Sequence, residues 1–133
     1  MIVIDGSSFL ALVRGDRDSA IARARHADTS ALLVAHTTAF EATFEFMADH
    51  GIEGVALVRA MIRNTGLTVI PTTEEIKLSS LQIFETFGIG AHPQSELTIG
   101  DCAAYALAQS VKACLVSETN RFCIVTSSNT TVH

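Results

Sequence analysis

Short apolar segments alternate with longer segments of helical periodicity along almost the whole chain. The apolar segments are "IVI" at 2–4, "ALLVA" at 31–35, "LTVI" at 67–70 and "ACLVS" at 113–117, with "FCIVT" at 122–126 as a candidate fifth. Strands separated by helices of this length are typical of a parallel sheet that carries helices on both faces. We therefore predict an α/β fold, a three-layer α/β/α sandwich with four to five parallel strands.

The segments between these strands are predicted to be helices. Their approximate ranges are 7–13, 17–26, 38–50, 52–66, 73–87 and 99–111. Gly51 follows the third helix and Gly66 closes the fourth, as glycines often do at helix C-termini. The pattern contains no repeat, no low-complexity tract and no linker, so we expect one domain over 1–133.

Composition limits the class of protein. The chain has 133 residues, of which 48% are hydrophobic, and no apolar run approaches the roughly 20 residues of a membrane span. The first residues lack the basic start of a signal peptide, so we expect a soluble cytoplasmic protein. The formal net charge of −5 has the wrong sign for binding nucleic acid through overall charge alone. RNA binding would then need a local basic patch or a bound metal.

The three cysteines do not form a recognisable metal or redox motif. Cys102, Cys114 and Cys123 are odd in number and show no CxxC pairing. We expect them to be small buried apolar groups in a reducing compartment.

A lone acid, Asp5, stands at the end of the first predicted strand. A buried carboxylate without a partner is costly, so either a positive group meets Asp5 or the strand prediction is wrong. In parallel sheets, ligands bind at the C-terminal ends of the strands, which is where Asp5 lies. Two more acids belong to helices that present their N-termini near one edge of the sheet: Glu41 after the second strand and Asp101 before the fourth.

Helix capping offers a structural alternative for two of these acids. Thr38 and Glu41 fit the spacing of a capping box, and Thr98 and Asp101 form a close relative of one. Asp5 has no comparable local pattern. Three converging carboxylates would repel one another unless a divalent cation joined them, and Mg²⁺ or Mn²⁺ prefers such oxygen ligands. A metal of this kind can polarise a phosphodiester and activate water.

Three stretches of the sequence together carry a family resemblance. They are "MIVIDGSSFLAL", "TTAFEATFEF" and "HPQSELTIGDCAAYALA", of which the Gly-Asp-Cys-x-x-Tyr-Ala-Leu-Ala element is the most specific. The set and order of these segments resemble the PIN domain and, within it, the VapC-type toxins of toxin–antitoxin pairs. The resemblance implies a ribonuclease toxin that depends on Mg²⁺ or Mn²⁺, with RNA as its substrate and an antitoxin protein as its partner.

The resemblance also assigns roles to particular residues. It implies that Asp5, Glu41 and Asp101 are catalytic and hold the metal, with Ser7 as a support. The family's fourth acid stands just before a phenylalanine in the turn after the fourth strand, whereas this chain has Arg121 there. An inward-facing arginine could pair with Asp5 or Asp101, and one that faces solvent would leave three acids to hold the metal.

Other residues near this turn and before the third acid remain candidates for support or substrate contact. Asn120 offers a neutral oxygen, which is a poorer metal ligand than a carboxylate. Glu118 could replace the missing acid if the turn is remodelled. His92 lies in the loop before Asp101, where the family's groove implies substrate contact, although a structural hydrogen bond is the plainer alternative.

The helices at 38–50 and 52–66 carry more apolar residues than one buried face needs. The apolar residues are Phe40, Phe44, Phe46, Met47, Val55, Leu57, Val58 and Met61. This surplus indicates a buried interface, so we expect a homodimer that also binds an antitoxin segment.

Three functions compete at this point: a metal-dependent ribonuclease toxin, a degenerate PIN protein that binds RNA or a partner with little or no cleavage, and a small α/β binding domain whose acids only cap helices. Arg121 separates the first two.

Overall fold

The structure is a computed structural model that describes residues 1–28 and 30–125. Its elements, in chain order, are β1 Ile2–Ile4, α1 Gly6–Arg14, α2 Ala20–Ala27, β2 Leu32–Ala35, α3 His36–His50, a 3-10 turn Gly51–Glu53, α4 Gly54–Thr65, β3 Thr68–Ile70, α5 Glu74–Phe87, α6 Ile99–Val111, β4 Cys114–Val116 and a 3-10 helix Arg121–Val125.

The four strands form one sheet in the order β3-β2-β1-β4, and every pair is parallel. β1 lies inside the sheet, where Ile2 is in register with Leu32 of β2 and with Cys114 of β4. The predicted parallel sheet between helices is therefore confirmed, with four strands. Because all strands run the same way, their carboxyl ends share one edge, and Asp5 follows β1 at that edge.

Two hydrophobic cores cover the two faces of the sheet, as a three-layer sandwich requires. Ile2 and Ile4 of β1 point to one side, where they pack with Phe9 of α1 and Phe46 of α3. Val3 points to the other side and joins a core with α5 and α6. Alternation of successive side chains across the strand produces this division. Helix α6 is buried from Gly100 to Ala108, which explains its run of alanines.

Two predictions about local structure are wrong. Helix α3 begins at His36 rather than Thr38, so Thr38 and Glu41 do not form a capping box. Residues 122–125 of the predicted fifth strand lie in a 3-10 helix, and Thr126 lies outside the described residues. A three-residue spacing buries both Phe122 and Val125 in the core beside α6, which suits a 3-10 helix and not an alternating strand.

The cysteine prediction holds only for Cys102, which is buried, because Cys114 is partly exposed and Cys123 is exposed. All three are free thiols. Among the helices of the described residues, none combines the length and the apolar character needed to cross a membrane.

Candidate active site

A cavity of about 290 Å³ opens at the C-terminal edge of the sheet, between α1, α3, α6 and the loop after β4. Five carboxylates line it: Asp16, Glu41, Glu45, Asp101 and Glu118. Two guanidinium groups, those of Arg14 and Arg121, also line it. The negative groups outnumber the positive ones, so the cavity favours a cation.

Asp5 does not line this cavity, although its neighbours Gly6 and Ser7 do, and it is almost fully buried. It is the N-cap of α1, since its Oδ1 accepts a hydrogen bond of 2.9 Å from the backbone N–H of Ser8. The expectation that Asp5 has no capping pattern is therefore wrong, because Asp is itself a preferred N-cap residue and needs no Glu or Gln at the third helical position. Burial raises the pKa of Asp5, hydrogen bonds from Ser117, Ser8 and Ser7 oppose that rise, and the charge of Asp101 adds to it.

Among the described residues, two serines hold the Asp5 carboxylate and tie β1 to the loop after β4, whereas a positive group had been expected. Ser7 Oγ donates to Asp5 Oδ1 at 2.7 Å and accepts from the backbone N–H of Glu118 at 2.9 Å. Ser117 Oγ donates to Asp5 Oδ2 at 2.6 Å. Ser117 was not among the predicted site residues, although a hydroxyl directly after a buried strand at the same sheet edge is the signal that could have found it.

Glu41 reaches across to the N-terminus of α6. Its Oε1 accepts from Thr98 Oγ1 at 2.6 Å, and its Oε2 accepts from the backbone N–H of Gly100 at 3.1 Å. In return, Thr38 Oγ1 of α3 donates to the carbonyl oxygen of Gly100 at 2.7 Å. The carboxylate at the positive end of α6 is favourable for the helix dipole. Glu41 therefore stabilises the start of α6 rather than that of its own helix.

Asp101 both caps a helix and lines the cavity, and the sequence had left both positions open to it. It completes a capping box with Thr98: its backbone N–H donates to Thr98 Oγ1 at 3.2 Å, and its Oδ2 accepts from the backbone N–H of Thr98 at 3.0 Å. It also lines the cavity together with Glu41. The cap fixes the side chain at the cavity wall, so structural and chemical roles are compatible here.

Arg121 turns toward these acids. Its Nη1 lies 3.5 Å from Asp101 Oδ2, and its Nε lies 3.8 Å from Glu96 Oε2. The Arg121 side chain remains 38% exposed, so each pairing contributes at most about 1 kcal/mol. Of the two acids that an inward arginine was expected to meet, Asp101 is the one it contacts.

Other candidates lie away from the cavity wall. His92 Nδ1 accepts from the backbone N–H of Gln94 at 3.3 Å, and the Asn120 side chain is exposed. Neither His92 nor Asn120 lines the cavity, and their contact with substrate stays a prediction. Tyr105 is buried, and its hydroxyl donates to the carbonyl oxygen of Val125 at 3.2 Å.

Cys102 follows Asp101 directly but is not a nucleophile. Burial, together with the charges of Asp101 and Glu41, raises the pKa of its thiol to about 12. The thiol is therefore protonated at neutral pH, and the thiolate is the form that attacks or ligates.

Comparison with a family model gives the decisive observation. The model of the PIN domain matches residues 2–126, which is nearly the whole chain. The chain belongs to the PIN-domain family. The expected resemblance is thereby confirmed.

Solved structures share this PIN fold. VapC20 of Mycobacterium tuberculosis, described as a toxin that cleaves the sarcin–ricin loop, is 12% identical with a TM-score of 0.70, over 96% of this chain and 95% of that one. A toxin–antitoxin complex from Klebsiella pneumoniae is 15% identical with a TM-score of 0.62, over 92% and 90% of the two chains. At these identities the likeness shows the fold. A search of curated proteins found no match.

The PIN family implies a divalent cation, and the donors present here fit one in their chemistry. Carboxylate oxygens are what Mg²⁺ and Mn²⁺ prefer. One carboxylate oxygen of the cavity-lining Glu118, Oε2, is buried and has no hydrogen-bond partner. Within residues 1–28 and 30–125, no three Asp, Glu, His or Cys side chains already form a metal cluster. The metal-binding role of Asp5, Glu41 and Asp101 therefore stays a prediction.

Proposed function

We propose that this PIN domain, taken as a single domain over 1–133, is the toxin of a toxin–antitoxin pair and hydrolyses RNA phosphodiesters with the help of Mg²⁺ or Mn²⁺. The observation that carries the proposal is the meeting of two family acids at one cavity. Glu41 and Asp101 line it, and the buried Asp5 is close enough for the charge of Asp101 to raise its pKa. We propose the cytoplasm as its location.

Asp5, Glu41 and Asp101 are the residues that would hold the cation. When bound, it would polarise the phosphodiester and activate water for attack. The chain itself supplies orientation. Ser7 and Ser117 fix the Asp5 carboxylate through hydrogen bonds of 2.7 and 2.6 Å, so its geometry is set before any ligand arrives.

Positive groups at the rim of the cavity suit the RNA backbone. The guanidinium groups of Arg14 and Arg121 both line the cavity that contains the acids. Arginine binds phosphate through planar, directional hydrogen bonds. These two residues would position a phosphate next to the carboxylates, which compensates for the overall negative charge of the chain.

A partner surface is proposed on α3 and α4. Phe40, Phe44 and Leu57 are 59%, 56% and 51% exposed, while Phe46 and Val58 are buried in the core. Phe40 and Phe44 pack edge to face with their ring centroids 4.8 Å apart. Exposed aromatic residues of this kind favour association. We propose that this surface serves homodimer formation and antitoxin binding.

Cleavage of RNA by the purified protein tests the main proposal. Activity should require Mn²⁺ or Mg²⁺, disappear with EDTA, and fall by at least about a hundredfold in Asp101→Asn. An Asp101→Asn variant as active as wild type would overturn the proposal, provided that both preparations are free of other nucleases.

The contact between Arg121 and Asp101 favours a second function, that of a degenerate PIN protein. In that case a guanidinium group stands beside the acids, and the protein binds RNA or an antitoxin-like partner without cleaving it. Retention of intact RNA in a filter-binding assay, with no cleavage at saturating Mn²⁺, would identify this alternative.

A further inference from the structure

We infer that Glu118 supplies the carboxylate that the family pattern has at position 121, so that in this chain Glu118 joins Asp5, Glu41 and Asp101 in holding a divalent cation. The role of Glu118 rests on the proposed function, because it adds a residue to the same metal site. Three features of Glu118 support it: its place at the cavity, the contacts of its two carboxylate oxygens, and the way its backbone is held.

Glu118 lies two residues beyond the end of β4, on the wall of the cavity that Glu41 and Asp101 also line. Residue 121 is an arginine and has no carboxylate. Its guanidinium group lies 3.5 Å from Asp101. Arginine keeps its charge at every physiological pH and cannot ligate a cation. Glu118 is therefore the acid of this loop that reaches the same cavity.

The two carboxylate oxygens of Glu118 differ in their contacts. Oε1 accepts a hydrogen bond of 2.5 Å from the backbone N–H of Ala20, at the start of α2. Oε2 is buried and has no hydrogen-bond partner. A buried carboxylate oxygen without a partner is unfavourable, because it has lost water and gained nothing in exchange. In a cavity rich in acids, a divalent cation is the partner that suits this oxygen.

The backbone of Glu118 is fixed relative to Asp5. The backbone N–H of Glu118 donates to Ser7 Oγ at 2.9 Å, and Ser7 Oγ donates to Asp5 Oδ1 at 2.7 Å. With Oε1 held by Ala20 as well, the side chain is anchored at both ends. Such preorganisation is what a metal ligand needs, since little conformational freedom is lost when the cation binds.

Calorimetric titration with Mn²⁺ tests this role. Glu118→Gln should weaken Mn²⁺ binding by about tenfold or more, the range seen when a group that tunes a metal site is lost. Glu45→Gln is the matched control, because Glu45 lines the same cavity and loses the same charge but is exposed. The control should change the affinity by less than about threefold, since screening weakens exposed charges.

Thermal unfolding in EDTA separates a ligand from a merely structural residue. Glutamine keeps the oxygen that accepts from Ala20 and removes one charge from the acidic cavity. Glu118→Gln should therefore unfold at the wild-type temperature or above it, and should lose most of the stabilisation that Mn²⁺ gives to wild type. A Glu118→Gln variant that keeps the full Mn²⁺ stabilisation of wild type would overturn the role of Glu118 as a ligand.

Asp101→Asn separates this role from the proposed function. If Asp101→Asn abolishes Mn²⁺ binding while Glu118→Gln leaves the affinity unchanged, the role of Glu118 is overturned and the metal-dependent ribonuclease stands. If wild type shows no Mn²⁺ binding, both are overturned. Loss of affinity in both variants, with Glu45→Gln unaffected, supports both.

Discussion

The Arg121 guanidinium group lies 3.5 Å from the Asp101 carboxylate, so a permanent positive charge stands beside an acid that the PIN family uses for its cation. An arginine this close opposes a divalent cation by Coulomb repulsion and competes with it for the same oxygen. The protein thus combines acids of the PIN family with a permanent positive charge that competes with a metal ion for one of them.

Replacing this arginine should strengthen metal binding. We expect wild type to bind Mn²⁺ weakly and to cleave RNA slowly, and Arg121→Asp to tighten Mn²⁺ binding by about tenfold, which corresponds to roughly 1.4 kcal/mol. Arg17→Asp is the control, because Arg17 is exposed and does not line the cavity. Titration calorimetry and cleavage of a structured RNA provide the measurements. Tight binding by wild type, with no change in Arg121→Asp, would contradict the expectation.

The buried Asp5 should destabilise the metal-free protein at neutral pH. Burial raises its pKa in the folded state, so stability linked to Asp5 is present at low pH and is lost as the pH rises through that raised value. Asp5→Asn imitates the protonated acid. It should unfold several degrees above wild type at pH 7 in EDTA, and this difference should shrink as the pH falls below the raised pKa.

Asp28→Asn is the control, because the pKa of Asp28 is shifted in the direction opposite to that of Asp5. Hydrogen bonds from Ser30 lower the pKa of the exposed Asp28 carboxyl. This variant should gain no stability at pH 7. Differential scanning calorimetry at several pH values compares the three proteins, and an Asp5→Asn variant that melts below wild type at pH 7 would count against the account of Asp5.

Gly100 should control the position of Glu41. A Cβ atom at residue 100 would lie 2.7 Å from Glu41 Oε1 and 2.8 Å from Glu41 Cδ. The flexible carboxylate would have to move away, while alanine itself favours a helix by about 0.5–1 kcal/mol. Gly100→Ala should therefore lower Mn²⁺ affinity and RNA cleavage by about tenfold or more with little change in stability.

Gly6→Ala provides the comparison for that variant. Gly6 also lines the cavity, but a Cβ atom there would meet only Ala42 Cβ at 3.8 Å, an ordinary contact. Metal affinity and cleavage should stay within about threefold of wild type, as for most substitutions that break no contact. Equal losses in both glycine variants would show that the displacement of Glu41 is not the cause.

The exposed aromatic residues of α3 should matter for assembly. Phe44→Ser removes a 56% exposed side chain that packs edge to face on Phe40. We expect wild type to sediment as a dimer at micromolar concentration and Phe44→Ser to weaken the dimer at least tenfold, since aromatic residues often dominate interfaces. Leu81→Ser, on a different exposed helix face, should not change the dimer. A wild type that sediments as a clean monomer would refute this expectation.

Most of the fold was predictable because it depends on local periodicity. The four strands are short apolar runs, and the helices between them leave a parallel sheet as the simple arrangement. The segment at 122–125 was mispredicted. Phe122 and Val125 pack into the core that α5 and α6 form with the sheet, and the alternation of apolar and polar residues in the sequence cannot reveal this packing. Tertiary contacts decided the structure of this segment.

The candidate site was predictable only in part, for a similar reason. The positions of Asp5, Glu41 and Asp101 at strand ends and helix starts followed from chain order. The partners of Glu41 did not, because Thr98 and Gly100 are 57 and 59 residues away. In the sequence, a capping box was the available local explanation for Glu41. In the structure, Glu41 instead contacts the start of another helix. The unpartnered oxygen of Glu118 likewise depends on packing that no spacing rule describes.

Two hydrogen bonds join α3 to Gly100, so the amide of Gly100 can be used to monitor this contact. The backbone N–H of Gly100 binds Glu41, and its carbonyl oxygen accepts from Thr38, so one residue without a side chain is held at both of its peptide groups. The amide proton of Gly100 should consequently exchange with solvent only when its hydrogen bond to Glu41 opens. Its exchange rate would therefore report, in a single signal, how firmly Glu41 holds the start of the helix that carries Asp101.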